Sequence, residues 1–550
     1  MASIKITGVS EPIEVSEETT LLALSKQYRH LFKNPILLAN VNNSLYELHK
    51  TPPEDATVTF LDMTDANGFR AYQRSAAFLM IYAIKSVLGE KTRVAIEHSI
   101  SQSYYCEIPD QNIVITDALL AQIETKMQEA VQADLPIEKH AITLTEGQRL
   151  AEQFGLQDKK DLLHYRRAAR VNFYKLDWFY DYFYGPMLPS TSFVSKFKLR
   201  PYSDGFMLQF PGISNTDSFS ELRPLEKVIQ VFKESNRWAR ILEVDTVGAL
   251  NNTICAGGLA EIIRVSEALH EKKTAHIAET VCEQQKNLVL IAGPSSSGKT
   301  TFAMRLCIQL RASGRKPHLI SLDNYYLNRA NVPLDQFGKP DLETLDAIDV
   351  AQVNCDLQRL LKGETVEIPS FNFLKGKREY KGNFIQLGED DILVMEGIHG
   401  LNERLTDSIP RKDKFKIFIS ALTQLNIDDH NHISTSDTRL IRRIARDQRH
   451  RGKDAAGTIA MWPSVQRGER AYIFPYQGEA DAFFNSALVY EMCVLKQYVE
   501  PLLFRVTADL PQHIEARRLI KFLDCFLCGS GEQIPQNSIL REFIGGSCFG

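Results

Sequence analysis

The sequence predicts a multidomain chain of mixed class, with two α+β units followed by a parallel α/β domain. Three observations carry this expectation. The chain has 550 residues, too many for one hydrophobic core. Residues 1–62 alternate short period-two apolar runs around a single helical pattern. From residue 287 onward, apolar runs alternate with helical patterns, as a parallel sheet with crossover helices requires. The first of those runs, Leu288-Val289-Leu290-Ile291-Ala292, leads directly into Gly293-Pro294-Ser295-Ser296-Ser297-Gly298-Lys299-Thr300.

Taken in order, Ile4 and Ile6, then Ile13 and Val15, alternate with polar residues and predict a hairpin. Leu21 to Leu31 predicts a helix. Ile36 to Val41 predicts a strand, Asn42-Asn43 a turn, Leu45 to Leu48 its return, and Thr57 to Leu61 a closing strand. This β-β-α-β-β order over residues 1–62 resembles the ubiquitin-like TGS domain, which implies a β-grasp.

Residues 63–256 resemble the second additional domain of threonyl-tRNA synthetase, an α+β unit. Tyr72-Gln73-Arg74-Ser75-Ala76-Ala77-Phe78-Leu79 stands where that family carries H-S-x-x-H-L. Ala95 to Ile100 followed by Tyr104-Tyr105 is similar to its next strand pair. Asp181 to Pro189 is similar to its C-x-G-P-H loop. The family's two histidines, cysteine and later histidine are here Arg74, Phe78, Phe183 and Met187. None offers a neutral imidazole or a thiolate. The expectation is a unit that keeps the shape and has lost zinc binding and editing chemistry. RNA contact and a purely structural role both stay open for it. Residues 257–286 predict one long amphipathic helix, with Leu259, Ile262, Ile263, Leu269 and Ile277 near helical spacing. It reads as a connector, the alternative being a core helix of either neighbour.

The loop at Gly293 fits G-x-x-x-x-G-K-[ST] between a buried strand and a helix start, the context that pattern needs. Gly293, Ser295, Ser296, Ser297, Gly298, Lys299, Thr300 and Thr301 are therefore the expected nucleotide-phosphate contacts. Lys299 would reach the terminal phosphates and Thr300 would offer its hydroxyl to Mg²⁺. A second strand, His318 to Leu322, delivers Asp323 to its C-terminal end, where open α/β sheets collect ligands. A third, Ile392 to Met395, ends in Glu396, a second candidate for Mg²⁺. Asp437 to Asp447 predicts a helix with Arg439, Arg442, Arg443 and Arg446 at i, i+3, i+4 and i+7. Four like charges on one face point to an anion such as triphosphate. A solvated basic face or an RNA contact is the alternative.

With Asp323-Asn324-Tyr325-Tyr326, Glu396-Gly397-Ile398 and the arginine helix, residues 287–506 resemble the uridine kinase/phosphoribulokinase type of P-loop kinase. The resemblance implies ATP and Mg²⁺ as cofactors and Asp323, with Lys299, as catalytic residues. Asp323 would take the proton of the acceptor hydroxyl. It assigns Arg446 and Arg451 to phosphate, and Glu343, Phe371 and Arg443 to the acceptor side. Asp341 to Asp349 is similar to N-F-D-H-P-D-A-F-D, so Glu343 holds the ribose-binding position, one methylene longer. Pro369-Ser370-Phe371-Asn372-Phe373 is similar to P-x-Y-D-F, with Phe371 in place of the tyrosine. Gly376 stands where a histidine is expected, Lys453 replaces an arginine and Met461 a glutamine. A pocket without those donors reads a base differently. The expected activity is phosphorylation of a primary hydroxyl of a nucleoside-like small molecule, with base specificity open. The alternatives are a kinase for a sugar phosphate or pantothenate, and a nucleotide-binding regulator that contacts RNA.

Composition narrows the setting. Charged residues make up 24% and the formal net charge is −4, which gives no global nucleic-acid footprint. No apolar run is long enough to span a membrane, and the first residues lack the pattern of a secretory signal. Nine scattered cysteines suggest reduced thiols and a cytoplasmic setting. Cys525-Phe526-Leu527-Cys528 reads as two buried thiols on a helix, since no second pair stands at zinc spacing. Residues 507–550 are too apolar to be disordered. They are expected to pack on the kinase domain or on a second subunit, and a homo-oligomer is expected.

Overall fold

Alternation puts Ile4 and Ile6 on one face of strand Ala2–Ile6, where they enter the first core beside Leu21, Val41 and Val58. The computed structural model describes residues 2–100, 102–110, 112–213, 215–219, 226–372 and 375–549. Phe373, at the end of the segment similar to P-x-Y-D-F, lies outside these. Among the described residues, the first unit holds a five-stranded mixed sheet in the order Ile13–Val15, Ala2–Ile6, Thr57–Leu61, Leu38–Val41, Ser44–Tyr46. Ala2–Ile6 runs parallel to Thr57–Leu61, and the remaining pairs are antiparallel. Helix Leu21–Gln27 is capped by Thr20, whose hydroxyl accepts from the Ala23 amide. It stops short of the predicted Leu31, which lies in a separate 3₁₀ turn and is exposed, so no burial rewards a longer helix. The return strand ends at Tyr46 because Glu47 leaves the sheet. Its buried carboxylate accepts from Lys139 Nζ (2.7 Å), from the Tyr174 hydroxyl and from the Met187 amide (3.0 Å), which fastens this unit to the next.

In the second unit, helix Ala66–Leu88 starts at Asp65, whose carboxylate accepts from the Asn67 and Gly68 amides. It is buried on nearly every face, because strands and helices surround it. Strands Ala95–Ile100, Ser103–Glu107, Gly205–Gln209 and Lys198–Tyr202 form an antiparallel sheet. Ile137–Thr143, Arg170–Leu176 and Phe179–Tyr182 form another. Helix Leu259–Glu283 then lies against helix Lys299–Ala312, and Arg305 of the latter pairs with Glu267 (3.7 Å) and Glu271 (2.8 Å) of the former.

The third unit is built on five parallel strands in the order Lys316–Ser321, Asp391–Glu396, Leu288–Ala292, Lys414–Ser420, Ala482–Asn485. The three central strands are buried along their whole length, as a sheet covered on both faces requires. The loop after Ser420 reaches into the second unit. There Asp429 pairs with Arg93 (2.6 and 2.8 Å), and its carbonyl accepts from the Ile96 amide. Fully buried Lys159 bonds the carboxylates of Asp181 and Asp428 (3.3 Å to the latter), and His430 bonds Asp181 at 2.7 Å. Helix His513–Leu523 closes the assembly. Its Arg518 pairs bidentately with Asp437 (2.6 and 2.7 Å), and its Glu515 pairs with Arg70 (3.1 Å). Among the described residues no helix is long and apolar enough to cross a membrane.

Candidate active site

Strand Leu288–Ala292 ends at Gly293, where a Cβ would lie 2.0 Å from the Ile419 carbonyl oxygen of the neighbouring strand, so only glycine fits. The chain then turns through Ser296 (φ 59°) and Gly298 (φ 83°) into helix Lys299–Ala312. The hydroxyls of Ser296 and Ser297 are buried and unpartnered among the described residues. Buried donors without acceptors, at a helix N-terminus, are what an anion would satisfy.

Parallel strand order brings three further groups to the same edge. Glu396 ends its strand beside the loop and accepts from Thr300 Oγ1 (3.3 Å) and Ser321 Oγ (3.0 Å). Asp323 sits in the 3₁₀ turn Leu322–Tyr325 that follows its strand. Burial raises both carboxyls. Glu396 is pushed up to about 7, with the Asp323 charge adding to the rise and Lys299 opposing it. Asp323 is raised although Lys299, Arg451 and Arg446 pull it down. Lys299 is in turn lowered by burial, against the attraction of Glu396 and Asp323. These oxygen donors fit a hard divalent cation, which would restore the ionised carboxylates. Among the described residues no cluster of three or more His, Cys, Asp or Glu is arranged to hold a metal.

The arginine helix, Thr435–His450, differs from the expectation of four charges on one anion. Arg439 is neutralised by a buried bidentate pair with Glu469 and donates to the Ser295 carbonyl (3.2 Å). Arg442, fully buried, pairs with Glu491 and reaches the Ser296 carbonyl at 3.4 Å. These two brace the loop from behind. Arg443 bonds the Ser295 hydroxyl (2.8 Å) and, one turn along its own helix, Asp447 (3.2 Å). Arg446 and the more exposed Arg451 carry charge toward Asp323. The difference arises because Glu469 and Glu491 lie 30 and 49 residues along the chain, beyond the reach of helical spacing.

On the acceptor side, burial and the neighbouring Glu469 push Glu343 up to about 7, against Arg443 and Lys299. Tyr326 feels both Asp323 and Glu343 and packs on Phe371, with ring centroids 5.8 Å apart. Lys299 thus interacts with both Asp323 and Glu343, and Tyr326 links that pair to Phe371. Gly376 has φ 62°, and a Cβ there would meet Arg329 at 2.9 Å, so this turn has no room for a side chain. Met461 is exposed and touches Lys453.

Several residues at this site went unmarked in the sequence. Ser321 could have been found as the strand-end neighbour of Asp323. Glu469, which also accepts from the Ser295 amide at 3.0 Å, and Glu542 carry no local signal. Glu542 comes from the C-terminal segment. Its carboxylate accepts from Thr301 Oγ1 (3.0 Å) and Arg446 Nη1 (3.1 Å), two of the expected phosphate contacts. Ile539 of the same segment packs so close to Gly298 that a Cβ there would lie 2.5 Å from it.

The predicted relic site in the second unit also assembles. The rings of Phe78 and Phe183 meet edge to face at 5.4 Å. Arg74 donates to the Pro186 carbonyl, and Ser75, beside it, touches Met187 (3.9 Å).

The parallel sheet, the phosphate loop and the carboxylates at its edge define a P-loop kinase-type domain. Residues 288–491 match the Phosphoribulokinase / Uridine kinase family. A uridine kinase of Mycoplasma pneumoniae is 33% identical over 175 residues, covering 32% of this chain and 73% of that protein. One of Mycoplasma genitalium is 31% identical over 178 residues, covering 32% and 74%. The chain belongs to the phosphoribulokinase/uridine kinase family. Its N-terminal part is similar to threonine–tRNA ligases, among them that of Syntrophotalea carbinolica, 27% identical over 193 residues, or 35% of this chain. The chain spans about 30% of the length of that ligase. A solved structure described as a possible uridine kinase from Bacillus stearothermophilus aligns with TM-score 0.27 and 16% identity, covering 39% of this chain and 98% of its own.

Proposed function

We propose that the protein is an ATP- and Mg²⁺-dependent kinase that phosphorylates a primary hydroxyl of a nucleoside. One observation carries the reading: Asp323 and Glu396 flank Lys299 at the sheet edge that also holds the phosphate loop, with Glu343 facing the same space. A protein that only binds nucleotide needs no second carboxylate beside the lysine. In this reading Asp323 takes the proton of the acceptor hydroxyl as it meets the terminal phosphoryl group. Lys299 and Arg446 offset negative charge on the phosphates. Thr300 and Glu396 would hold Mg²⁺, which would supply charge neutralisation to the phosphates. Glu343 accepts from ribose hydroxyls, and Phe371 offers an apolar wall to the base.

Gly376 and Met461 stand where hydrogen-bonding base readers are expected, which supports broad base use over a strict pyrimidine preference. The same observation keeps a non-nucleoside alcohol as the second reading. The proposed division of the chain is a TGS-like β-grasp (1–62), a synthetase-like unit (63–256), a connecting helix (257–286), the kinase (287–506) and a tail (507–550). The test is a transfer screen of the purified chain with labelled ATP against nucleosides, sugars and pantothenate. Transfer to nucleosides alone supports the reading, and transfer to a sugar or pantothenate alone replaces it.

A further inference from the structure

A cavity of about 530 Å³ opens between the second unit, the start of helix Thr435–His450 and helix His513–Leu523. That volume lies within the range of small-molecule sites. Its walls carry an unbalanced set of cations. Arg70 and Arg518 have carboxylate partners in Glu515 and Asp437. Arg74, Arg470, Arg517 and Lys521 have none among the described residues, and Arg74 bonds only the Pro186 carbonyl. Gly185 leaves the room that the Arg74 guanidinium fills: a Cβ there would lie 2.0 Å from it. Arg470, Arg517 and Lys521 are exposed and Arg74 is half-buried, so an anion entering the cavity meets four cations that no carboxylate holds among the described residues. The pKa of Arg74 is lowered by burial, with only tyrosines opposing it.

We propose that this cavity is a second ligand site, separate from the phosphate loop, that takes a nucleotide. Four unpaired cations exceed what one carboxylate would balance, and guanidinium forks match phosphate oxygens. Tyr104, Phe183 and Tyr184 line the same cavity, and the half-buried Tyr184 offers ring surface to a base. Arg74 anchors the phosphate.

The test uses the full chain with the phosphate loop saturated by a non-hydrolysable ATP analogue with Mg²⁺ and the acceptor pocket by excess nucleoside. Equilibrium dialysis with labelled UMP reads further binding. Inorganic phosphate, ribose 5-phosphate and a short single-stranded RNA serve as competitors. The expected result is one further mole of UMP per chain, with affinity reduced at least tenfold by Arg74→Gln and by Lys521→Gln and unchanged by the distant surface variant Lys33→Gln. Lys521 is exposed, so that variant tests the site even where Arg74→Gln fails to fold. No additional mole, or binding indifferent to both substitutions, overturns the proposal. Competition by phosphate and ribose 5-phosphate as effective as by UMP itself overturns the nucleotide assignment. RNA binding tighter than UMP makes the cavity an RNA site and overturns it as well.

Discussion

Replacing Glu542 by glutamine tests how the C-terminal segment meets the proposed ATP site. Its carboxylate bonds Thr301 and Arg446 at 3.0 and 3.1 Å, where the incoming phosphates need the same donors. ATP must displace that carboxylate or bind beside a like charge. The pair is mostly shielded, with 17% and 18% of the side chains exposed. A charged hydrogen bond so placed contributes about 1.5–3 kcal/mol before screening, and partial exposure reduces it to about 1–1.5 kcal/mol. Glu542→Gln keeps the shape and the acceptor for Thr301 and removes the charge. The expected outcome in steady-state kinetics is an approximately five- to tenfold lower KM for ATP, with kcat changed less than twofold. Because part of the effect acts through Arg446, it should shrink in an Arg446→Ala background. An unchanged or higher KM in the single variant would refute the reasoning, and would mean that Glu542 holds Arg446 in its working position.

Three further outcomes are expected. Lys299→Ala and Asp323→Asn should both abolish transfer, but calorimetry should show weakened ATP binding only for the first, since Asp323 acts on the acceptor proton. Glu396 binds its proton more tightly in the fold (about 7) than its ordinary value of 4.5. The stability it contributes is therefore present below 4.5 and lost as pH rises through 7. In EDTA, Glu396→Gln should leave the melting temperature unchanged at pH 4 and raise stability above pH 7 by no more than about 3 kcal/mol; an equal shift at both pH values would contradict this. Lys159→Ala leaves Asp181 and Asp428 buried without their cation, and denaturant unfolding should show a loss of about 3–5 kcal/mol; a loss below 1 kcal/mol would mean that His430 suffices.

Local chemistry was legible in the sequence, and long-range pairing was not. The strand before Gly293 and the helix after Gly298 follow from an apolar run, a glycine turn and a helix start that all lie within 20 residues. The strand ends carrying Asp323 and Glu396 are legible for the same reason. Helical spacing placed the four arginines on one helix but could not show that Arg439 and Arg442 are already paired. Their partners Glu469 and Glu491 come from other elements. The return strand after Asn43 was read too long because nothing local tells that Glu47 is drawn into the next unit by Lys139 and Tyr174. Glu542, more than 200 residues from the phosphate loop, is the extreme case.

The central claim is phosphoryl transfer to a nucleoside, and its most direct measurement is the product. The purified chain, incubated with γ-labelled ATP, Mg²⁺ and separately uridine, cytidine, adenosine, guanosine and their deoxy forms, should yield labelled nucleoside 5′-monophosphate. Ribonucleosides should be preferred over deoxy forms through Glu343, without a strong uridine or cytidine preference, and Asp323→Asn should be silent throughout. ATP binding without label in any nucleoside would contradict the account. Label in uridine alone, with purines inert, would contradict its reading of the base pocket.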